Sequence, residues 1–237
     1  DSSTIRHSSG HGVYLRSASP KITNSSIDHS AQNGIYLEGS SNPTIGEEGN
    51  GNAISDSGAY ALFSADAGPL PSVRYNTISN YGSYAMRMGA RMTVHDNTYF
   101  GSGLRAIEVL GEHITGNTLW SNEIPTYIVT GDVTVRSPNY RRYTDSDKQQ
   151  VSLTIEPGVT VRFEPGTGLY IGYPYPDTRY GYHGALSARG TQESPIVFTS
   201  NTSSPAAGDW KGIYFDHATH SPTTLLEHCV VKYGGHT

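Results

Sequence analysis

Histidines and carboxylates near glycines are the first residues to weigh for chemistry. Gly10-His11-Gly12 sets an imidazole between two residues without side chains. Hydrolysis of a glycosidic bond needs two carboxyl groups placed across it, and no position of the repeat described below pairs acids beside His11, so a turn histidine is expected there. His7, His29 and Asp56 recur at equivalent positions and could stack into a row of metal ligands. A metal needs three or four donors with a supporting shell, and the next members of the row, Asn80 and Gly101, do not extend the set. Glu47, Glu48, Asn50 and Asn52 could gather oxygens, but they lack the regular aspartate spacing of calcium loops, so a solvated loop is expected. The sequence assigns no catalytic residue, no metal and no cofactor.

The most suggestive surface is Tyr173-Pro174-Tyr175-Pro176-Asp177-Thr178-Arg179-Tyr180-Gly181-Tyr182-His183. Tyrosines offer large rigid faces with few rotamers to freeze, and their hydroxyls add polar contacts. Tyr173, Tyr175, Tyr180 and Tyr182, with Asp177 and Arg179, form a candidate contact for saccharide or for another partner. The alternative is that this loop packs down over the body of the protein. Tyr14, Tyr36 and Phe63 form a shorter outward column with the same two readings.

The elements that must position these residues show themselves as a repeat. Ile5, Ile27, Ile54, Ile78, Tyr99 and Leu119 are separated by 22, 27, 24, 21 and 20 residues. The longest interval contains Gly46-Glu47-Glu48-Gly49-Asn50-Gly51, a looped-out insertion. Seven residues beyond each anchor stand Gly12, Gly34, Ala61, Ala85 and Ala106, all small, as a crowded position requires. Eight residues on come Val13, Ile35, Leu62, Met86 and Ile107, and ten on come Leu15, Leu37, Ser64, Met88 and Val109. That alternation is a strand with one buried face. Ile22, Val73, Val94 and Ile114 supply a third stretch, and Pro20, Pro43 and Pro71 mark turns before their strands. Three short strands per coil of about 22 residues follow, which is an all-β, right-handed, single-stranded parallel β-helix.

Two residues before the anchors stand Ser3, Ser25, Asn52, Asn76, Asn97 and Asn117. Stacked about 4.8 Å apart, such side chains can bond one another and satisfy backbone groups at a bend. Cys229-Val230-Val231-Lys232-Tyr233 matches Ser3-Thr4-Ile5-Arg6-His7, which puts Cys229 in the same ladder as a buried structural thiol. As the only cysteine it forms no internal disulfide.

Regularity lapses between Glu123 and Gln150, where Ser137 to Gln150 reads as an exposed excursion containing Asp145, Asp147 and Lys148. The expected organisation is a regular short-coil region over 1–122, an irregular connector over 123–152 and a wider-coil continuation over 153–237. The chain of 237 residues has 16 basic and 21 acidic side chains, a net charge of −5 and 27 glycines. With no basic run, nucleic acid is not an expected partner. No stretch of 18 apolar residues and no signal segment is present. Starting at Asp1 inside a repeat, the chain reads as a mature protein or a fragment of a longer solenoid, and open terminal coils would invite copies to associate end to end.

Ser26-Ile27-Asp28-His29-Ser30-Ala31-Gln32-Asn33-Gly34-Ile35-Tyr36-Leu37 resembles the coil pattern of the parallel β-helix repeat proteins, and residues 1–122 carry that likeness. The family includes pectin-acting enzymes, carbohydrate-binding surface proteins and extracellular proteins without known activity. Leu153-Thr154-Ile155-Glu156-Pro157-Gly158, Gly184-Ala185-Leu186, Pro195-Ile196-Val197-Phe198-Thr199 and Trp210-Lys211-Gly212-Ile213-Tyr214-Phe215 resemble wider coils of large bacterial secreted proteins. Gly10-His11-Gly12 is similar to a polygalacturonase motif, and Phe215-Asp216-His217 to a pectate lyase element, without the companion acids and basic groups of either. Because repetition pervades the chain while catalytic constellations do not, the expectation is a non-enzymatic extracellular or cell-surface solenoid, structural, adhesive or filament-forming. The alternative is a carbohydrate-binding or carbohydrate-active β-helix protein.

Overall fold

The computed structural model describes residues 2–143, 150–177, 179–219 and 222–235. Asp145, Asp147, Lys148 and Thr178 lie outside them. Every regular element among the described residues is a strand, and no helix is long and apolar enough to cross a membrane. The chain divides into two compact units, Asp1–Val109 and Leu110–Thr237.

In the first unit the chain winds through three parallel sheets. The first holds Thr4–Arg6, Ser26–Asp28, Ala53–Ser57, Thr77–Tyr81 and Thr98–Phe100. Its register pairs Ile5 with Ile27, Ile27 with Ile54, Ile54 with Ile78 and Ile78 with Tyr99. The second holds Val13–Arg16, Ile35–Glu38, Leu62–Ser64, Tyr84–Gly89 and Leu104–Leu110. The third holds Lys21–Ile22, Thr44–Ile45, Ser72–Arg74 and Thr93–His95. Apolar members of each column fill the centre: Ile27, Ile54, Ile78, Ile35, Leu37, Leu62, Ile45 and Val73 are fully buried. The expected parallel β-helix, with three short strands per coil, is the observed fold.

Small residues at the second-sheet entry have a steric cause. A Cβ on Gly12 would lie 2.6 Å from Ile27 Cγ2, and one on Gly34 would lie 2.6 Å from the Ala61 carbonyl. Another corner has a conformational cause. His7, His29, Asp56, Asn80 and Gly101 all have positive φ, between 51° and 81°. Histidine, aspartate and asparagine are the non-glycine residues that tolerate this left-handed bend best, so the composition of that column records the turn between sheets one and two.

The asparagine column is a continuous ladder in this unit. Asn52 Nδ2 donates to Asn76 Oδ1 at 2.9 Å and Asn76 Nδ2 to Asn97 Oδ1 at 3.0 Å. The same oxygens accept backbone N–H groups of Asn52 and Asn76, and the amides donate to the carbonyls of Ile22, Ile45 and Val73.

The second unit repeats the scheme with longer turns. Its sheets contain His113–Ile114, Val133–Val135, Gly168–Ile171 and Gly212–Phe215; Thr118–Trp120, Val151–Ile155, Gly184–Arg189 and Leu225–Glu227; and Thr126–Val129, Thr160–Phe163, Ile196–Ser200 and Cys229–Val231. Tyr127 pairs with Val161, Val161 with Phe198 and Phe198 with Val231, so successive coils take 34, 37 and 33 residues.

Four expectations need correction. Leu119 does not continue the anchor column: it is 40% exposed, because fully buried Trp120 takes the inward place and stacks on Tyr127 at 4.9 Å. Asn117 is exposed, and its Oδ1 accepts from the Ser152 backbone and hydroxyl. Cys229 pairs in register with Ile196 rather than standing in an asparagine ladder, and its half-buried thiol contacts the Ala188 and Glu227 carbonyls. Local likeness to Ser3–His7 misplaced it because every strand of the solenoid shares one alternating pattern. Finally, the segment 123–152 is not simply irregular: Thr126–Val129 and Val133–Val135 are in-register strands, with Val133 and Val135 fully buried.

Candidate functional site

The tyrosine loop of the second unit is a hairpin, joined by the polar excursion into a small antiparallel sheet. Tyr173 pairs with Tyr182 and Pro174 with Gly181, while Arg141 and Arg142 pair with Gly181 and Tyr180 on the other side. Antiparallel pairing gathers side chains that alternate along each strand onto common faces. Tyr140 stacks on Tyr175 with ring centroids 4.2 Å apart and meets Tyr180 edge-on at 5.6 Å. Tyr173 meets Tyr182 at 6.1 Å.

Cations brace these rings. The Arg136 guanidinium lies 4.5 Å from the Tyr182 centroid and 5.7 Å from that of Tyr173. Arg142 lies 5.2 Å from the Tyr180 centroid, and its Nε donates to the Tyr180 hydroxyl at 2.8 Å. Cation–π contacts of this kind hold aromatic side chains in place while leaving edges open. Tyr140 and Tyr173 remain 44% and 46% exposed; Tyr175, Tyr180 and Tyr182 are half-buried. Tyr140 raises the pKa of the Tyr175 phenol above its ordinary value through their hydrogen bond. Asp177 and Arg179 turn to each other at 2.6 Å, and Arg179 holds the Asp177 carboxyl down at about 2. The hairpin thus brings Tyr173, Tyr175, Tyr180 and Tyr182 together, and commits Asp177 and Arg179 to a local ion pair. Sequence reading places Arg142 in a polar and charged excursion without assigning it to the tyrosines, and it misses Tyr140 in that excursion and Arg136 just before it.

In the first unit Tyr14, Tyr36 and Phe63 form an outward stack, with centroid separations of 5.2 and 5.4 Å. Arg87 caps it, 4.7 Å from the Phe63 centroid, and pairs with Glu108 at 2.9 Å. The Tyr60 hydroxyl donates to Glu108 at 2.5 Å, and burial together with that carboxylate pushes its pKa to about 12.

His11 stacks on Tyr36 at 4.4 Å, and its Nδ1 faces the Asn33 backbone N–H at 3.4 Å. One coil on, Asn33 Oδ1 accepts from the Tyr60 N–H at 3.1 Å. His11 therefore occupies a second column of backbone-bonding side chains, and burial lowers its pKa. The rings of His7 and His29 lie 4.7 Å apart, tilted by 40°, beside a shallow cleft of about 600 Å3, with His29 bonded to Asp28 and Asp56 to Asn80. Among the described residues, no three His, Cys, Asp or Glu side chains converge as metal ligands. The glutamate loop is likewise committed to strands: Glu47 pairs with Lys21 at 2.6 Å, Asn50 accepts from Asn24, and Asn52 turns inward. Asp216 bonds His217 at 2.8 Å, while Phe215 lies 47% exposed beside a cleft of about 350 Å3 with Tyr170, Tyr173 and Tyr214.

Comparison with known families matches residues 1–139 to the right handed beta helix region and residues 121–237 to the pectate-lyase like beta helix domain. Neither a curated protein nor a solved structure matches the chain. Parallel in-register coils and these matches agree that the chain belongs to the right-handed β-helix family.

Proposed function

We propose that the chain is a non-enzymatic scaffold, secreted or displayed at a cell surface, which adheres to polysaccharide through aromatic faces. The tyrosine cluster around Tyr175 carries this reading. Its rings are braced by Arg136 and Arg142 yet keep open surface, so little conformational freedom is lost when a sugar face is covered. The pectate-lyase like match over residues 121–237 spans the same coils and supports a carbohydrate partner. Around His11 the neighbours are tyrosines and an asparagine, a setting that supports holding a chain rather than cleaving it.

Affinity electrophoresis on neutral and acidic polysaccharides, run beside an assay for new reducing ends and unsaturated sugars, tests this proposal. Retardation without cleavage is expected, and the Tyr175→Ala/Tyr180→Ala double variant should lose most of it. Cleavage abolished by His11→Ala would replace adhesion with catalysis.

A further inference from the structure

One outward column of the second unit lacks a ring. Register places His113 beside Thr134, Thr134 beside Tyr170, and Tyr170 beside Tyr214. Tyr170 and Tyr214 stack with centroids 5.0 Å apart and planes 11° from parallel. Thr134 is the short member, only 6% exposed, at the base of a cleft of about 650 Å3 that His113, Tyr170, Tyr173, Glu112 and Asp132 also line. Because adjacent strands lie about 4.8 Å apart, His113 and Tyr170 stand roughly two strand spacings apart. Over Thr134 this leaves a gap whose side wall is Tyr173, its ring 6.2 Å from that of His113.

We propose that this gap is a slot for a single neutral pyranose ring, a defined subsite within the saccharide-adhesive reading on which it rests. The C–H faces of a pyranose suit the two aromatic walls, and its ring of hydroxyls needs acceptors at the edge. Asp132 supplies one: Lys211 Nζ holds its Oδ2 at 2.6 Å, which fixes the carboxylate beside the cleft. Glu112 supplies a second carboxylate to the lining. Asp132 and Glu112 stand against Lys211 and nearby Arg136, so the slot has no surplus of positive charge to hold a uronate, and the sugar is neutral. Burial and nearby Arg136 lower the His113 pKa, so its ring is uncharged at neutral pH and acts as a platform. Backbone contact keeps the slot narrow at one end: a Cβ on Gly111 would meet the Gly131 carbonyl carbon at 2.6 Å.

Thr134→Tyr tests the slot by supplying the missing ring. Saturation-transfer NMR titrations with methyl glycosides and disaccharides of glucose, galactose and mannose, and with digalacturonate, read the binding of short saccharides. Retardation on the polymer reads the whole surface. At least one neutral disaccharide should bind, and Thr134→Tyr and Tyr170→Ala should each weaken it tenfold or more. Tyr175→Ala/Tyr180→Ala should change disaccharide binding less than threefold while lowering polymer retention. Asp132→Asn, which keeps the shape, should also weaken the disaccharide, and bound sugar should protect His113 from diethyl pyrocarbonate; these two readouts decide the matter if Thr134→Tyr does not fold. Unchanged disaccharide affinity in folded Thr134→Tyr, or preference for digalacturonate, overturns the slot and leaves the adhesive reading standing. A wild-type protein that retains no polysaccharide removes both.

Discussion

Asn76 shows how one side chain can serve three coils. Its amide donates to the Ile45 carbonyl and to Asn97, while its oxygen accepts from Asn52. Removing it leaves buried groups on both neighbours without partners, at about 1–3 kcal/mol each. Asn76→Leu and Asn97→Leu should therefore destabilise the protein by about 2–4 kcal/mol in urea denaturation. Exposed Asn117, whose Oδ1 accepts from Ser152, should cost less than half as much when replaced by leucine. Asp28 makes a different kind of contribution. His29, Arg6 and Ser26 hold its carboxyl below the usual 3.8, so its contribution is present above that pH and is lost as pH falls through its lower folded value. Thermal melts should accordingly separate Asp28→Asn from the wild type at pH 7 and bring the two together only well below pH 3.8. Asn52, Asn76 and Asn97 were legible from spacing alone, whereas the same spacing misplaced Asn117. The partner of Asp28 one coil away, Arg6, was not, because nothing in a single coil says which outward charges will face each other.

At the scale of elements, the strand entries are governed by clearance. Gly34 faces the Ala61 carbonyl with no room for a Cβ, while Gly10 has open space around it. Gly34→Ala should lower stability by about 1–3 kcal/mol, and Gly10→Ala should leave it within about 0.5 kcal/mol; paired urea melts measure both. The tyrosine hairpin follows another rule. Its strands are short and depend on pairing with Arg141–Arg142 and on ring stacking with Tyr140. Tyr140→Ala should loosen the hairpin, seen as faster amide exchange at Arg142 and Tyr180, while leaving strands such as Thr160–Phe163 protected. Sequence inspection found the tyrosines because they are concentrated in one segment. It missed Tyr140, whose stack with Tyr175 exists only because two insertions in different coils emerge side by side.

For the molecule as a whole, each strand of the parallel sheets takes its partners from the coil before and the coil after. Stability in such an array is a sum of local terms and nearest-neighbour terms. Hydrogen exchange in Asn76→Leu should thus rise in the coils carrying Asn52, Asn76 and Asn97, and remain at wild-type levels in Ile196–Ser200. Uniform loss of protection along the chain would contradict that picture. The parallel coils, the buried columns and the asparagine ladder of the first unit can be read from residue spacing, because residues one coil apart occupy equivalent environments and the same physical demand recurs at a nearly constant interval. Tertiary structure alone decided where Leu119 and Cys229 point, which carboxylates meet which cations, and how separate insertions assemble a tyrosine surface. Those outcomes depend on turns of unequal length, which no repeating interval encodes, and on side chains brought together only after the coils have stacked.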